Sequence, residues 1–360
     1  MNSKKALGNG LLLFTALIWG TAFVAQRSGM ESIEPITFNA ARMALSAILI
    51  GGLALIMRAK RRRNHEGCQE EAIIAKINPE DGSERGSEAK PESLPEAISS
   101  KKAEVLSKDR PIKNAEVKTD TRVETRATVI GGVLCGIFLS VASIFQQMGL
   151  VYTTAGKAGF ITAMYMLIVP ILGFVLFKKK NTWLVWLAVV LGIVGMYLLC
   201  ITGEFTLAYG DALVLVCAVT FSGHILCCDR FVRLGRPLEI AAIQFVTAAV
   251  VSWIAAFIAE EPTIAKLTSA AVPILYCGVM SGAIGYTLQI VAQKYTDPTI
   301  ASLLMSMESV FAVLAGVIIL NEQMTSRELA GCVVMFVAIV LVQIPVKKRK
   351  EMPSGKATEC

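Results

Sequence analysis

Charge is scarce in this sequence. Asp, Glu, Lys and Arg make up 18% of 360 residues, where soluble domains carry about 25%. Histidine occurs only twice. There is no Gly-x-x-x-x-Gly-Lys-[Ser/Thr] loop to cradle a nucleotide phosphate, which argues against a primary pump. There is no Ser/His/Asp or His-Glu-x-x-His constellation for hydrolysis, and no Cys-x-x-Cys with histidine partners for zinc. A soluble enzyme and a nucleic-acid binder are both disfavoured, and no cofactor or metal is expected. What is abundant is apolar surface: 54% of residues are hydrophobic and the mean hydropathy is +0.59. The charges are also badly mixed. Residues 58–127 hold 30 of the 63. This is the composition of a polytopic membrane protein with one polar insert.

A helix needs about 20 apolar residues to cross the hydrocarbon core. Ten segments qualify, at roughly 10–28, 34–57, 128–150, 155–177, 182–202, 210–228, 237–258, 268–292, 298–320 and 327–345. Pro35, Pro237 and Pro298 stand at helix starts, where first-turn amides have no intrahelical partner. The first span reads as a retained helix rather than a cleaved leader, because it runs on into Gln26-Arg27 with no small-residue cleavage site. If the chain crosses at each span, one side collects 20 Lys and Arg and the other collects Arg27, Lys157, Lys266 and Arg327. The positive side is cytoplasmic. Both termini and the insert are therefore expected in the cytoplasm, and the protein in the plasma (cytoplasmic) membrane. The opposite loops carry acids such as Glu31, Glu34, Glu260 and Glu261.

The nine cysteines do not form a disulfide framework, since most lie in apolar spans and Cys68 and Cys360 in cytoplasmic segments. The adjacent pair Cys227-Cys228 reads as packing residues at a helix end, with redox or metal chemistry the less favoured use. The insert, rich in Glu, Lys, Ser and Pro, cannot bury enough apolar surface to offset its ordering entropy, so disorder is expected, with short helices near 100–110. It reads as a tolerated insertion, with a regulatory role the less favoured use.

The chain repeats itself. Gly8, Ala16, Pro35, Ala40 and Ala47 recur as Gly210, Ala218, Pro237, Ala242 and Ala249, at a constant offset of 202. Beyond the insert, Gln146, Tyr152-Thr153, Ala158 and Met164 recur as Gln289, Tyr295-Thr296, Ala301 and Met307, at an offset of 143. The chain divides into a first five-span unit (1–57 and 128–202), the insert 58–127 between spans 2 and 3, a second unit (203–345) and a basic tail (346–360). An odd number of spans per unit makes the second start on the opposite side, so the units are inverted. Inverted repeats around a midplane site are the plan of many secondary transporters.

Ile18-Trp19-Gly20-Thr21-Ala22-Phe23-Val24-Ala25-Gln26 followed by Pro35-Ile36-Thr37-Phe38-Asn39-Ala40-Ala41-Arg42 resembles the start of an EamA-type unit of the drug/metabolite transporter superfamily. Pro298-Thr299-Ile300-Ala301-Ser302-Leu303-Leu304-Met305-Ser306-Met307-Glu308-Ser309-Val310-Phe311, with Asn321-Glu322 and Leu329-Ala330-Gly331-Cys332, resembles its close. The resemblance implies an all-α fold of ten transmembrane helices in two inverted five-helix bundles, exporting or importing small metabolites. The first copy departs from it: Tyr165 stands where the second has Glu308, and Lys178-Lys179 where it has Asn321-Glu322.

A charge at membrane depth costs at least about 2.5–3.5 kcal/mol on insertion scales and must be paired or hydrated. Glu308 and Arg42 are the foremost intramembrane charges, as cavity groups that contact a polar or zwitterionic solute or, for Glu308, carry a coupling proton. The alternative is that they satisfy each other or free carbonyls as packing groups. Asp211, Lys157 and His224 sit nearer span ends. Trp19, Thr21, Gln146, Gln147, Thr162, Tyr165, Tyr286 and Gln289 are softer cavity candidates, since side-chain amides also act as helix–helix glue worth roughly 0.6–2 kcal/mol. Pro170 marks a kink or gate in span 4, or a static bend. Gly278-x-x-x-Gly282, Ser281-x-x-x-Gly285 and Gly192-x-x-Gly195 allow close helix approach, for internal packing in preference to a homodimer contact.

The expected function is a secondary transporter working by alternating access on an amino-acid-like or other small polar metabolite, with drugs as further substrates and efflux favoured over uptake. The partners are that solute and the lipid bilayer, with no nucleic acid. A membrane-embedded enzyme or a non-transporting sensor with a regulatory insert is the alternative.

Overall fold

The computed structural model describes residues 3–77, 113–178, 181–200, 209–320 and 325–343. The described residues form helices α1 (Ser3–Gly29), α2 (Pro35–Ile77), α3 (Lys113–Val151), α4 (Ala155–Thr162), α5 (Tyr165–Phe177), α6 (Trp183–Cys200), α7 (Tyr209–Val232), α8 (Pro237–Ala259), α9 (Ile264–Ser269) and α10 (Ala271–Tyr276). A π-helical stretch (Cys277–Tyr286) follows, then α11 (Thr287–Gln293), α12 (Pro298–Met305), α13 (Glu308–Leu320) and α14 (Ser326–Gln343).

Eight stretches are long and apolar enough to cross a membrane: 5–29, 35–60, 122–151, 155–177, 209–232, 237–259, 271–293 and 298–319. The remaining two of the ten expected spans fall in α6 and α14, whose apolar runs, Trp183–Gly195 and Leu329–Ala338, are shorter. The protein is a multi-pass membrane protein, and its packing has the matching polarity. Large apolar side chains such as Ile258 and Ile318 are 81% and 75% exposed. Arg42, Gln147, His224, Gln244 and Glu308 are buried. In water that apolar belt would drive association; in lipid it meets acyl chains.

Three expected spans are interrupted. Span 4 breaks at Ala163-Met164, between α4 and α5, and span 9 at Ser306-Met307, between α12 and α13. These breaks lie 143 residues apart, the offset of the sequence repeat. At each, the ladder tightens to an i to i−3 bond: Met164 N–H donates to Ile161 O at 3.1 Å and Met307 N–H to Leu304 O at 3.3 Å. Pro170, the expected kink, lies inside α5, which continues through it. Span 8 is interrupted by its π-helical stretch, a form frequent at functional sites.

The insert is not as expected along its flanks. α2 runs on to Ile77 and α3 starts at Lys113, so residues 58–77 and 113–127 are helical rather than disordered. Glu, Lys, Arg, Gln and Ala are good helix formers, and extending an existing helix requires no new nucleus. Residues 78–112, with the short helices expected near 100–110, lie outside the described residues, as do Asn321-Glu322 and the tail 346–360.

Helix contacts repeat when the two units are exchanged. α2 packs on α8, α6 on α14 and α4 on α13, each joining corresponding spans. α3 packs on both α7 and α8, while α1 and α2 both pack on the π-helical stretch. Polar contacts define two ends of the bundle. At one end, Arg27 donates to the carbonyls of Leu150 and Thr153, Lys157 pairs with Asp211 at 2.6 Å, and Lys266 pairs with Glu34. There too Glu260 caps α2, accepting from the Ile36 and Thr37 amides at 2.9 and 2.7 Å. At the other, Arg236 pairs with Glu124 at 3.3 Å and Glu239 at 2.9 Å, and Thr296 donates to Asn9 at 3.3 Å. α1 therefore runs toward the Glu34 end and α7 away from it. The Lys266 hydrogen bond holds the Glu34 carboxyl below the usual carboxylate range. The Glu239 hydrogen bond pushes the Arg236 guanidinium up.

Candidate functional site

In the middle of the bundle, side chains from both the N-terminal and the C-terminal parts of the chain leave a polar cavity. α1 contributes Trp19, Phe23 and Gln26, spaced by four and three residues along one helix face. α2 contributes Arg42, α3 Gln146, α4 Thr162 and α5 Tyr165. Phe221 and Ile225 come from α7, Ser281 and Tyr286 from the π-helical stretch, Gln289 from α11 and Glu308 from α13. Seven of the eight principal candidates thus converge: Glu308, Arg42, Gln146, Gln289, Tyr165, Tyr286 and Trp19. Thr21 does not join them. Two residues on from Trp19 it points to another side of α1, where its hydroxyl meets the Leu17 and Ile18 carbonyls and the Tyr276 hydroxyl at 2.6 Å. Of the softer candidates, Thr162 lines the cavity, while Gln147 is fully buried outside it.

The helix breaks place two of these groups. Tyr165 opens α5 and Glu308 opens α13. An acidic side chain in a first turn is favoured by the helix dipole. Glu308 Oε1 makes no hydrogen bond of ordinary geometry, and the Tyr165 hydroxyl faces the same carboxyl. No basic group pairs with Glu308 among the described residues, so the expected alternative of mutual satisfaction by Arg42 is not realised. Arg42 is instead held by its own helix. Its Nε donates to Asn39 Oδ1 at 3.0 Å, and Asn39 Nδ2 donates to Ser252 Oγ on α8 at 3.0 Å. Arg42 Nη2 has no partner. One guanidinium nitrogen and one carboxyl oxygen therefore remain without a partner, in a setting where an uncompensated charge is costly.

Hydrogen bonds and ring contacts tie the walls together. Trp19 Nε1 donates to Ser281 O at 3.1 Å, and its ring meets Tyr286 at 4.6 Å. Gly285 permits this: a Cβ there would lie 2.6 Å from Trp19 Nε1. Tyr286 is also packed edge-on by Phe245 at 5.5 Å and His224 at 5.9 Å. Gln146 donates to Thr162 Oγ1 at 3.2 Å, while Gln289 Oε1 has no partner. The glycine stripes serve these internal contacts. Cβ atoms at Gly278 and Gly282 would strike Leu45 and Ser46 of α2, and one at Gly192 would strike Met166.

Phe23, Gln26, Phe221, Ile225 and Ser281 also line the cavity and were not among the cavity residues expected from the sequence. The repeat carries the signal for four of the lining pairs. Trp19 corresponds to Phe221 and Phe23 to Ile225 at the 202 offset; Gln146 corresponds to Gln289 and Tyr165 to Glu308 at the 143 offset. Outside the cavity, the Lys157–Asp211 ion pair takes up both groups at one end of the bundle. Cys227-Cys228 meets a third thiol: Cys135 Sγ lies 3.4 Å from Cys227 Sγ and 3.6 Å from Cys228 Sγ, all three free.

Relatives share this plan. A crystal structure with 15% sequence identity matches with a TM-score of 0.62, covering 93% of this chain and 96% of its own, and so shares the fold. A protein of Archaeoglobus fulgidus named as an uncharacterized transporter is 31% identical over 216 residues, which is 60% of this chain and 69% of that protein. The sequence matches the EamA-like transporter family over residues 6–71, 115–201 and 208–344. With helices, apolar belt and central polar cavity in place across those ranges, the chain belongs to the EamA-like transporter family of membrane transporters.

Proposed function

We propose that the protein is a secondary transporter that moves an amino-acid-like or other small polar metabolite across the cytoplasmic membrane by alternating access. Ten spans form two inverted five-span repeats, with both termini in the cytoplasm. The observation that carries this reading is the cavity at the meeting of the units, lined by four repeat-related pairs, with one nitrogen of the Arg42 guanidinium and one oxygen of the Glu308 carboxyl without a partner. Exchange-symmetric packing and antiparallel α1 and α7 support the inversion. A site shared between inverted halves can face either side as they exchange conformations.

The chemistry suits a zwitterion. Arg42 Nη2 presents donors to a carboxylate, and Glu308 accepts an ammonium group or a proton. Trp19 and Tyr286 offer an aromatic wall to an apolar or flat side chain.

The test is counterflow in proteoliposomes across amino acids, amines, carboxylates and sugars, with and without a pH gradient. Solutes carrying both charges are expected to exchange fastest. Glu308→Gln is expected to insert normally and to lose pH-driven accumulation. Exchange of none of the four classes by inserted wild-type protein would reject the reading, and undiminished pH-driven flux in the variant would remove Glu308 from the mechanism.

A further inference from the structure

Besides its four repeat-related pairs, the cavity is lined by residues whose repeat counterparts stay out of it. Gln26 and Arg42 are the clearest. Gln26 lies three residues before the end of α1 and Arg42 seven after the start of α2, so both belong to the half of the bundle nearer the Glu34 end. At the 202 offset their counterparts are Cys228 and Gln244. These lie in the opposite half, toward the Arg236 end, and both are fully buried.

That opposite half is not ordinary packing. His224 Nε2 and Gln244 Oε1 meet at 3.2 Å between α7 and α8, and Cys228 Sγ lies 3.5 Å from the same imidazole nitrogen. Gln293 of α11 donates to Ile225 O at 3.3 Å. Yet His224 Nδ1, Gln244 Nε2 and Gln293 Oε1 have no hydrogen-bond partner. Each of the three side chains is fully buried. Most buried side-chain polar atoms find a partner, so each exception requires a reason. Three exceptions on three mutually packed helices require a common one. Purely structural amides would be expected to close onto each other or onto carbonyls.

We infer that His224, Gln244 and Cys228 form a second half-site, collapsed in this conformation, that lines the cavity when it opens toward the Arg236 end, with Gln244 in the place Arg42 holds now. The inference rests on the inverted-repeat, alternating-access reading. Exchanging the conformations of two inverted repeats exchanges their lining residues. The group that Arg42 meets as a guanidinium is met there by a neutral amide, with His224 beside it. Solute and water supply the missing partners when the half-site opens.

Native Cys228 reports on this directly. Reconstituted wild-type protein is treated from one face with a membrane-impermeant maleimide, and each cysteine is scored by peptide mass spectrometry. Cys228 is expected to react from the face that carries Arg236 and not from the other, and a counterflow substrate is expected to slow its labelling at least twofold. Gln26→Cys is expected to show the opposite sidedness. As a second readout, Gln244→Ala is expected to raise KM at least fivefold for solute presented at the Arg236 face, leaving KM at the opposite face within twofold. Cys228 unreactive from both faces, in protein that exchanges solute, would overturn the half-site. Face-specific labelling in protein that exchanges no solute would instead overturn the transport reading and leave the half-site standing.

Discussion

Arg42 differs from an ordinary buried cation in what holds it. Its Nε is fixed by Asn39, itself fixed by Ser252, which leaves the fork of the guanidinium aimed by two helices at once. Lysine keeps the charge but has no Nε donor beside a planar fork. Arg42→Lys is therefore expected to fold and insert, and to raise KM for a carboxylate-bearing solute about tenfold or more, the scale of one charged hydrogen bond at about 1.5–3 kcal/mol. Zero-trans uptake measures this, and an unchanged KM would show that only charge matters. Arg42 and Glu308 could be read from the sequence because so few charges stand within spans. Thr21 could not be separated from Trp19, because composition does not give the rotation of a helix about its axis. Spacing from Trp19 through Phe23 to Gln26 gives that rotation, but only once the cavity shows which face to count from. The unpartnered Nη2 and Oε1 atoms were likewise invisible, since partnership depends on which side chains the fold brings alongside.

Helices here touch at glycine, beside the site and along the rest of the bundle. A Cβ at Gly20 would lie 2.6 Å from Glu308 O and 2.9 Å from Ala312 N, both backbone atoms that cannot swing aside. Gly10 on the same helix has nothing within 4 Å. Gly20→Ala is expected to push α1 from α13 and destabilise the protein by about 1–3 kcal/mol, as overpacked cores do, while Gly10→Ala is neutral or slightly stabilising. Thermal unfolding in detergent separates the two, and equal melting temperatures would refute the close approach. Most span positions were legible from apolar length alone. The breaks at 163–164 and 306–307 were not, because residues on both sides are equally apolar and a single tightened turn leaves no compositional mark. Their common 143 offset becomes meaningful only when both are seen. The helical flanks of the insert were missed for the opposite reason: their composition forbids a core of their own, but a helix already started in the membrane has no need of one.

At the scale of the whole molecule, both ends are strapped by ion pairs in which the earlier residue is the acid and the later one the base. Glu34 meets Lys266; at the other end Arg236 meets Glu124, at the end of the insert. Glu34 is the 202-offset counterpart of Arg236. Because its folded carboxyl lies below the ordinary value, its contribution is complete above about pH 4.3 and fades as pH falls through the folded value. Wild type is therefore expected to melt slightly above Glu34→Gln at pH 7, by the equivalent of about 0.2–1 kcal/mol for an exposed pair, with the gap closing below about pH 4. A gap that widened on acidification would reverse the assignment.

The facing pair Tyr165 and Glu308 carries a further consequence. Two identical copies would set like beside like: two carboxyls that could not both ionise, or two phenols with no charge to offer. Divergence at this one pair of positions removes that choice. A Tyr165→Glu variant would restore it, with two carboxyls facing one another. On the proposed inverted-repeat reading the axis is chemically handed, with one half supplying the carboxyl and the other the hydroxyl that faces it.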